Sequence, residues 1–412
     1  MIPNLLHLLD RTRHWRSQWH EGVQSREAGR FVPKNVRTLR RRGAIALLFM
    51  VFMVVCVLVA ALAINWSYLV TVQNHLRHVG DAMALAGAAL LPDDGLLRDL
   101  PADQTDDRAA AAAEVDRLRQ ANLRGTSKPL AIHEDDVTIT PGRVPNIAAR
   151  LANRQFVEAP PYNALRVDIL RRHDGAHPVM HLMSGIAGAD PVDVPASSIA
   201  AIDDQLVGFR PTARTNAPLL PLAISEAAWT ARSDADGNGI REAVFRLRTS
   251  DPASAAGTNG AVVDLAGVAI DWSRIHEQLD GGVRRDHLTD GQVGPAGPGG
   301  ASQPAPLSLP AVMQTPSDAE TQALVQKLNT IAGSREPRRA IPIFRSISGD
   351  KAEVIGFVAA RVLGAESESQ GAGASPRLKV VLEPCFLIHT TAWTDPASAL
   401  RNPYIFKLRL LQ

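Results

Sequence analysis

"RRRGAIALLFMVFMVVCVLVAALAIN", Arg40 to Asn65, decides the architecture of this 412-residue chain. Within it, Ala44 to Ile64 is a run of 21 residues without a charge. At about 1.5 Å of rise per helical residue it spans roughly 30 Å, the thickness of a bilayer's hydrocarbon core. A removable signal has an apolar segment of only about 7–15 residues, followed by a small-residue cleavage site. Ala61-Leu62-Ala63 offers such a site. The length of the run, its basic preamble and its helical continuation point instead to a permanent anchor. Arg41-Arg42 by itself does not make a twin-arginine signal.

Charge agrees with this reading. Residues 1–42 carry a net +7 and the remainder −5, within a total of +2. A basic head before an apolar run is a topology signal, placing residues 1–43 inside and those from about 66 onward outside. Trp66 and Tyr68 fall where an interfacial aromatic belt belongs. The basic pairs Arg171-Arg172 and Arg338-Arg339 lack clustered aromatics, so they suggest salt bridges and no nucleic-acid partner. Only two cysteines occur, with Cys56 inside the apolar run and Cys385 near the end. No disulfide can therefore form within the outer part, and its cores must hold it together.

The helical pattern does not stop at Asn65. Leu69, Val72, Leu76, Val79, Met83 and Ala86 keep 3-and-4 spacing, with Gln73, Asn74, Arg77 and Asp81 on other faces. "DAMALAGAALL" then replaces large residues by small ones until Pro92 stops the helix. One helix over residues 44–91 is predicted. Ala84 and Gly87 in its second half permit close packing, so a partner or the chain's own domain should cover them.

"RRGAIALLF…LAINWSYLVTVQNHLRHVGDAMALAGAALL" resembles the TadE/TadG-like proteins of Tad (Flp-type) pilus assembly. In those, an Arg-Gly step precedes the apolar run, an aromatic follows it, and a "LQNAADAAALAGA"-like segment closes the helix. Arg41, Arg42 and Gly43, then Trp66 and Tyr68, then Asp81, Ala84 and Gly87 stand at those places. The sharp part covers Arg41 to Leu91. "AAAAAEVDRLRQANLRG", "NALRVDILRR" and "ASSIAAI" are weaker echoes of the helix, strand and small-residue segment that follow. Leu48 stands where prepilin-like members carry a Glu, so the resemblance does not extend to cleavage at Gly43. The D-x-S-x-S run of some TadG-like chains is missing as well. The resemblance implies a bacterial cytoplasmic membrane, a single pass, and partners among other Tad-like pilus or envelope proteins.

The outer region reads as α+β. Asp106 to Asn122 has an acidic first turn, five consecutive alanines and Gly125 as a stop, which predicts a helix. "DVTIT" (136–140) and "ALRVDIL" (164–170) alternate as half-buried strands do, with Val167 and Ile169 opposite Arg166 and Asp168. "VVDLAGVAI", "AIPIFRSI", "AEVIGFVAARVL", "RLKVVLEP" and "IFKLRLL" show the same pattern. Gly, Pro and Ser crowd residues 291–310 and suggest a linker. The expected organisation is a basic segment at 1–43, the helix at 44–91 and a mixed body at 93–280. A linker at 281–316 and a strand-rich part at 317–412 follow. A sheet shared across that linker is compatible with the pattern.

Chemistry is sparse. Asp234, Asp236, Asn238 and Gly239 match positions 1, 3, 5 and 6 of a calcium loop, and Glu242 falls at the ninth. The twelfth position, normally a bidentate Glu, is Phe245, so a polar turn explains "DADGNGIRE" better than a weak Ca2+ site. "HEDD" (133–136) suits a solvated turn entering a strand. His173, His177 and His181 lose helical alignment to Gly175 and Pro178. Cys385 and His389 on a strand would lie roughly 13 Å apart, too far for a dyad. No enzyme and no resident cofactor is expected. A membrane-anchored assembly component, acting through helix packing and outer-domain binding, is the leading expectation, and it calls for exposed apolar surface. The rival, an anchored sensor or ligand-binding protein, calls for a deep pocket lined by several polar groups.

Overall fold

The computed structural model describes residues 39–92, 97, 104–125, 130–147, 149, 154–175, 178–180, 190–233, 242–247, 259–263, 265, 271–288, 316–348, 351–368, 377–395 and 401–411. The chain divides into two compact units, Met1–Ala63 and Ile64–Gln412. Helix α1 (Leu39–Ala88) supplies the described residues of the first unit and opens the second. It ends ahead of Pro92: Leu90 N–H donates to the Gly87 carbonyl at 3.1 Å and Leu91 N–H to Ala88 at 3.2 Å. These i→i+3 bonds tighten the last turn where the residue before a proline resists the α conformation.

The rest of the second unit follows in order. Helix α2 (Gln104–Gly125) leads into strands β1 (Val137–Gly142), β2 (Ala164–Arg171), β3 (Val194–Asp203), β4 (Leu206–Phe209) and β5 (Leu222–Ser225). A short helix α3 (Glu226–Thr230) precedes β6 (Ala243–Arg246), β7 (Gly260–Val262), α4 (Trp272–Gly281) and α5 (Asp318–Ala332). The chain ends with β8 (Arg338–Ser348), β9 (Lys351–Glu368), β10 (Arg377–Pro384), β11 (Leu387–Ile388), β12 (Ala392–Thr394) and β13 (Ile405–Leu410). The fold class is α+β, as the alternation of patterns predicts.

Two sheets organise it. The first has the order β1-β2-β3-β13-β11, antiparallel except for the β11–β13 pair. One face carries Leu165, Val167, Ile169, Val194, Ala196, Ala200, Ile202 and Phe406. Against them pack Val72, Leu76, Met83, Ala84 and Ala88 of α1 and Ala111 and Val115 of α2. Val167 and Ile169 are buried while Arg166 and Asp168 face the other side and pair at 2.7 Å, as period-2 alternation requires.

The second sheet runs β6-β10-β9-β8-β5-β7, with β5 and β8 parallel. One face is covered by Ile275 and Leu279 of α4 and by Leu324, Leu328 and Ile331 of α5. A capping box starts α5: Glu320 N–H donates to Ser317 Oγ at 3.3 Å, and Ser317 N–H to Glu320 Oε2 at 2.6 Å. Asp271 caps α4 by accepting from Ser273 N–H, and Gly282 ends it at φ 77°. A Cβ on Gly282 would come within 2.4 Å of the Ala217 carbonyl oxygen, so only glycine fits. On the sheet's opposite face Phe209 meets Phe357 edge to face, 5.3 Å between centroids.

Strand pairing crosses the expected 281–316 boundary repeatedly. Ile224 of β5 pairs with Ile343 of β8, and Ala243 of β6 with Leu382 of β10. The last strand returns to the first sheet, with Leu408 opposite Ile202. The two sequence halves on either side of that boundary therefore share both cores. Residues 281–288 are part of the body: Val283 and Leu288 are core residues, and Val283 bridges Ala217. Residues 289–315 lie outside the described residues.

Candidate assembly interface

The first unit is a bare apolar helix. Residues 45–60 are all exposed, with Leu48 and Phe49 at 69% and 63%. Side chains of this type and number are not left in water, since each would lose about 1.5–3 kcal/mol of burial. Among the described residues this is one helix long and apolar enough to cross a membrane. Arg41, Arg42 and Gly43 belong to α1, but their side chains and residues 1–38 lie outside the described residues. Trp66 is 72% exposed, free to sit at an interface. Tyr68 differs: it is half-buried and packs against the core of the outer body.

Of the two coverings open to the small-residue half, the structure has the chain's own domain. Ala84 is fully buried. A Cβ on Gly87 would lie 2.3 Å from Leu165 Cδ2 of β2 and 2.8 Å from Val115 Cγ2 of α2. A Cβ on Gly80 would lie 2.9 Å from Ser198 Oγ of β3. Asp81 accepts a hydrogen bond from that same hydroxyl at 2.7 Å. Helix, sheet and α2 thus meet on a face that includes glycine, alanine and one part-buried polar pair. β2 and α2 thus occupy the face that Ala84 and Gly87 present.

The remaining sequence candidates separate cleanly. "HEDD" forms a 3-10 turn, Glu134–Asp136, in which Asp136 accepts from His133 N–H at 3.0 Å. The same carboxylate faces Arg171 Nε at 3.5 Å, and Arg171, only 2% exposed, also donates to the Ala131 carbonyl. The cluster is a structural clasp between the turn and β2. Sequence spacing could not show this, because Asp136 and Arg171 are 35 positions apart and meet only through the β1–β2 register. Asp234, Asp236 and Asn238 of the calcium-like loop lie outside the described residues. Glu242 is described, and its backbone pairs with Ser233 in both directions, at 2.9 and 3.2 Å. Cys385 is buried in the core with Phe209 and Phe357, apart from any nucleophile's solvent access.

Of the three histidines, His173 is described, and His177 and His181 lie outside the described residues. His173 takes Asp193 at both its ring Nδ1 (2.9 Å) and its backbone N–H (2.6 Å), tying the end of β2 to the approach of β3. The hydrogen bond and charge of Asp193 raise the His173 pKa above its ordinary value. The backbone and ring hydrogen bonds from His173 in turn lower that of Asp193. The His173 contribution is complete below the unfolded histidine value of about 6.5 and fades as pH rises through the raised folded value. The Asp193 contribution is complete above about 3.9 and fades as pH falls through its lowered value. Melting of the full chain in detergent micelles should therefore be slightly lower at pH 8.5 than at pH 5.5. The His173→Ala variant should lose that difference, and an unchanged difference would assign it elsewhere.

Among the described residues from 64 to 411, large exposed apolar side chains are scattered: Ile64, Trp66, Val70, Leu90, Leu123, Met180 and Leu363. A cavity of about 220 Å³ opens beside β3, lined by Asn146, Asn163, Asp204, Gln205 and Arg401 among others. It is smaller than the roughly 300–1,000 Å³ usual for small-molecule sites. Among the described residues, the large continuous apolar surface is the exposed stretch of α1 at residues 45–60.

Residues 86–200 match a family model described as "Putative Tad-like Flp pilus-assembly". The chain thus carries a Tad-like region that begins in the last turn of α1 and ends within β3, taking in α2, β1 and β2. The match falls on the weaker echoes of the sequence and overlaps the sharper Arg41–Leu91 stretch only at its end. No curated protein and no solved structure matches the chain.

Proposed function

We propose that this protein is a non-enzymatic, single-pass component of a Tad-type pilus or envelope-assembly system. Its basic N-terminal segment lies in the cytoplasm, and its body lies outside the cytoplasmic membrane. The observation that carries this reading is the Tad-like region, which is built directly on the continuation of the apolar helix. The exposed first part of α1 meets lipid and the helices of other membrane components, where close side-by-side packing is the available force. The outer body presents surfaces to pilus or envelope proteins. Because Gly80, Ala84 and Gly87 are covered internally, partner contacts through helix packing fall on residues 45–63.

Two measurements test this. Single cysteines at exposed positions such as Thr138 and Arg401 should react with a membrane-impermeant maleimide on intact cells from which any outer barrier has been removed. Protection at both sites would reverse the orientation. Deleting the gene should abolish surface pili, and restoring it with residues 44–63 replaced by a cleavable signal should not rescue them. Normal piliation in the deletion strain would end the assembly reading.

A further inference from the structure

One end of the first sheet gathers chain segments that are far apart in sequence. Antiparallel pairing sets the end of β1 beside the start of β2, with Gly142 opposite Ala164. Ala164 in turn lies opposite Ala201 near the end of β3, and Asp203 opposite Lys407 near the start of β13. This is the end of the sheet nearest the last turn of α1, where Leu165 meets Gly87, whereas Ile169 lies by Gly80. The cavity of about 220 Å³ opens among these segments. Residues 144–147 reach it after β1, Asn163 before β2, Asp204 after β3 and Arg401 before β13.

Hydrogen bonds fix this frame before any ligand arrives, which lowers the cost of binding. Asn163 Oδ1 accepts from Val144 N–H at 2.8 Å, and its Nδ2 donates to the Val144 carbonyl at 3.2 Å. Asn402 N–H donates to the Asp204 carbonyl at 2.7 Å, and Arg401 Nη1 to Asp204 Oδ2 at 3.0 Å. Asn146 Oδ1 accepts from Ala149 N–H at 3.0 Å. These bonds leave both amide hydrogens of Asn146, one of Asn163, the second oxygen of Asp204 and the other donors of Arg401. Asp204 and Arg401 are the charged groups of the lining and neutralise each other, so neither an anion nor a cation is favoured. Mixed donors and an acceptor around a neutral cavity match hydroxyl groups, which both donate and accept. Val144 and Ile147, both buried, add an apolar part to the wall. At a water's share of about 30 Å³ the cavity has room for about seven waters, enough for one ring with its hydroxyls.

We propose that this cavity binds one neutral sugar ring, either free or as a unit of a glycan chain. Asn146 and Asn163 donate to its oxygens, Asp204 accepts from a hydroxyl, and Val144 and Ile147 pack against ring carbons. The site is independent of the assembly reading. Residues 144–147 and Asn163 lie within the Tad-like region, and Asp204 and Arg401 lie beyond it.

The test uses the full chain, 15N-labelled at asparagine, in micelles of a detergent without a sugar headgroup. Glucose, mannose, N-acetylglucosamine, its tetramer and open-chain sorbitol are titrated in turn. The side-chain amide signal of Asn146, assigned by its loss in Asn146→Asp, should shift saturably with at least one ring sugar. A response to a monosaccharide identifies a free sugar as sufficient, and a response to the tetramer alone identifies a unit of a chain. Asn146→Asp keeps the acceptor for Ala149 N–H but loses both donors, so it should weaken binding about tenfold at an unchanged melting temperature. Asp204→Asn, which keeps the side-chain shape, should weaken it as well. An Asn146 signal unmoved by every ring sugar would overturn the proposal. So would an equal response to sorbitol, or unchanged binding by both variants.

Discussion

Replacing Gly87 with leucine is expected to lift α1 from its sheet and destabilise the outer body by about 3 kcal/mol. Even the first added carbon collides with Leu165 Cδ2 at 2.3 Å and Val115 Cγ2 at 2.8 Å, and the Ala111 carbonyl oxygen stands 3.3 Å away. Leu165 and Val115 are each 1% exposed, so neither has solvent into which to move. Leucine is a better helix former than glycine by about 0.5–1 kcal/mol, which offsets only part of the overpacking. Ala82→Leu, on the exposed side of the same helix turn, should leave stability within about 0.5 kcal/mol of the parent. Thermal unfolding of the two variants in the same micelles checks the contrast. Equal melting temperatures would mean that α1 does not dock on β2 through this face. Because residues 64–88 carry that contact, the Gly87→Leu body should also become sensitive to protease.

Arg171→Ala should be nearly as damaging, by about 3 kcal/mol, for an electrostatic reason. Arg171 is the largest side chain among those almost wholly buried, and it joins β2 to the turn before β1. Its removal leaves the Asp136 carboxylate, itself only 16% exposed, facing a void without its counter-charge. It also removes a donor from the Ala131 carbonyl. Arg171→Met keeps the aliphatic volume and should recover part of the loss, since long basic side chains also pack through their stems. Adding Asp136→Asn to Arg171→Met should recover more, because no unpaired carboxylate then remains. Chemical unfolding of the four proteins decides this. If Arg171→Met is as stable as the parent, the clasp contributes packing and no ion-pair energy.

Much of the fold is legible in local pattern. β1, β2, β8, β9, β10 and β13 lie on the alternating stretches, because period-2 burial is a property of neighbouring residues. Helix α2 runs to Gly125, the glycine that marks its end in the sequence. Helix α5 is a different lesson. The strand-rich expectation for 317–412 passes over it, although Ser317 and Glu320 form a capping box and Thr321, Leu324, Leu328 and Ile331 keep helical spacing. The signal is present in "SDAETQALVQKLNTIA", following a Gly/Pro-rich run that draws attention away from it. Of the candidate positions, Trp66 is exposed, whereas the partners of Asp81, Ala84 and Gly87 are invisible locally. Ser198 and Leu165 are 117 and 78 positions from them.

The long helix, its apolar first half and its small-residue second half follow from residue order alone. An uncharged 21-residue run followed by unbroken 3-and-4 spacing up to Pro92 leaves the backbone no better way to satisfy its hydrogen bonds. What the small residues face, and the return of β13 beside β3 in the first sheet, emerge from long-range packing. Leu408 and Ile202 pair across more than 200 intervening residues. That choice rests on matching two half-buried faces, and the energy of such a match belongs to the assembled pair of surfaces.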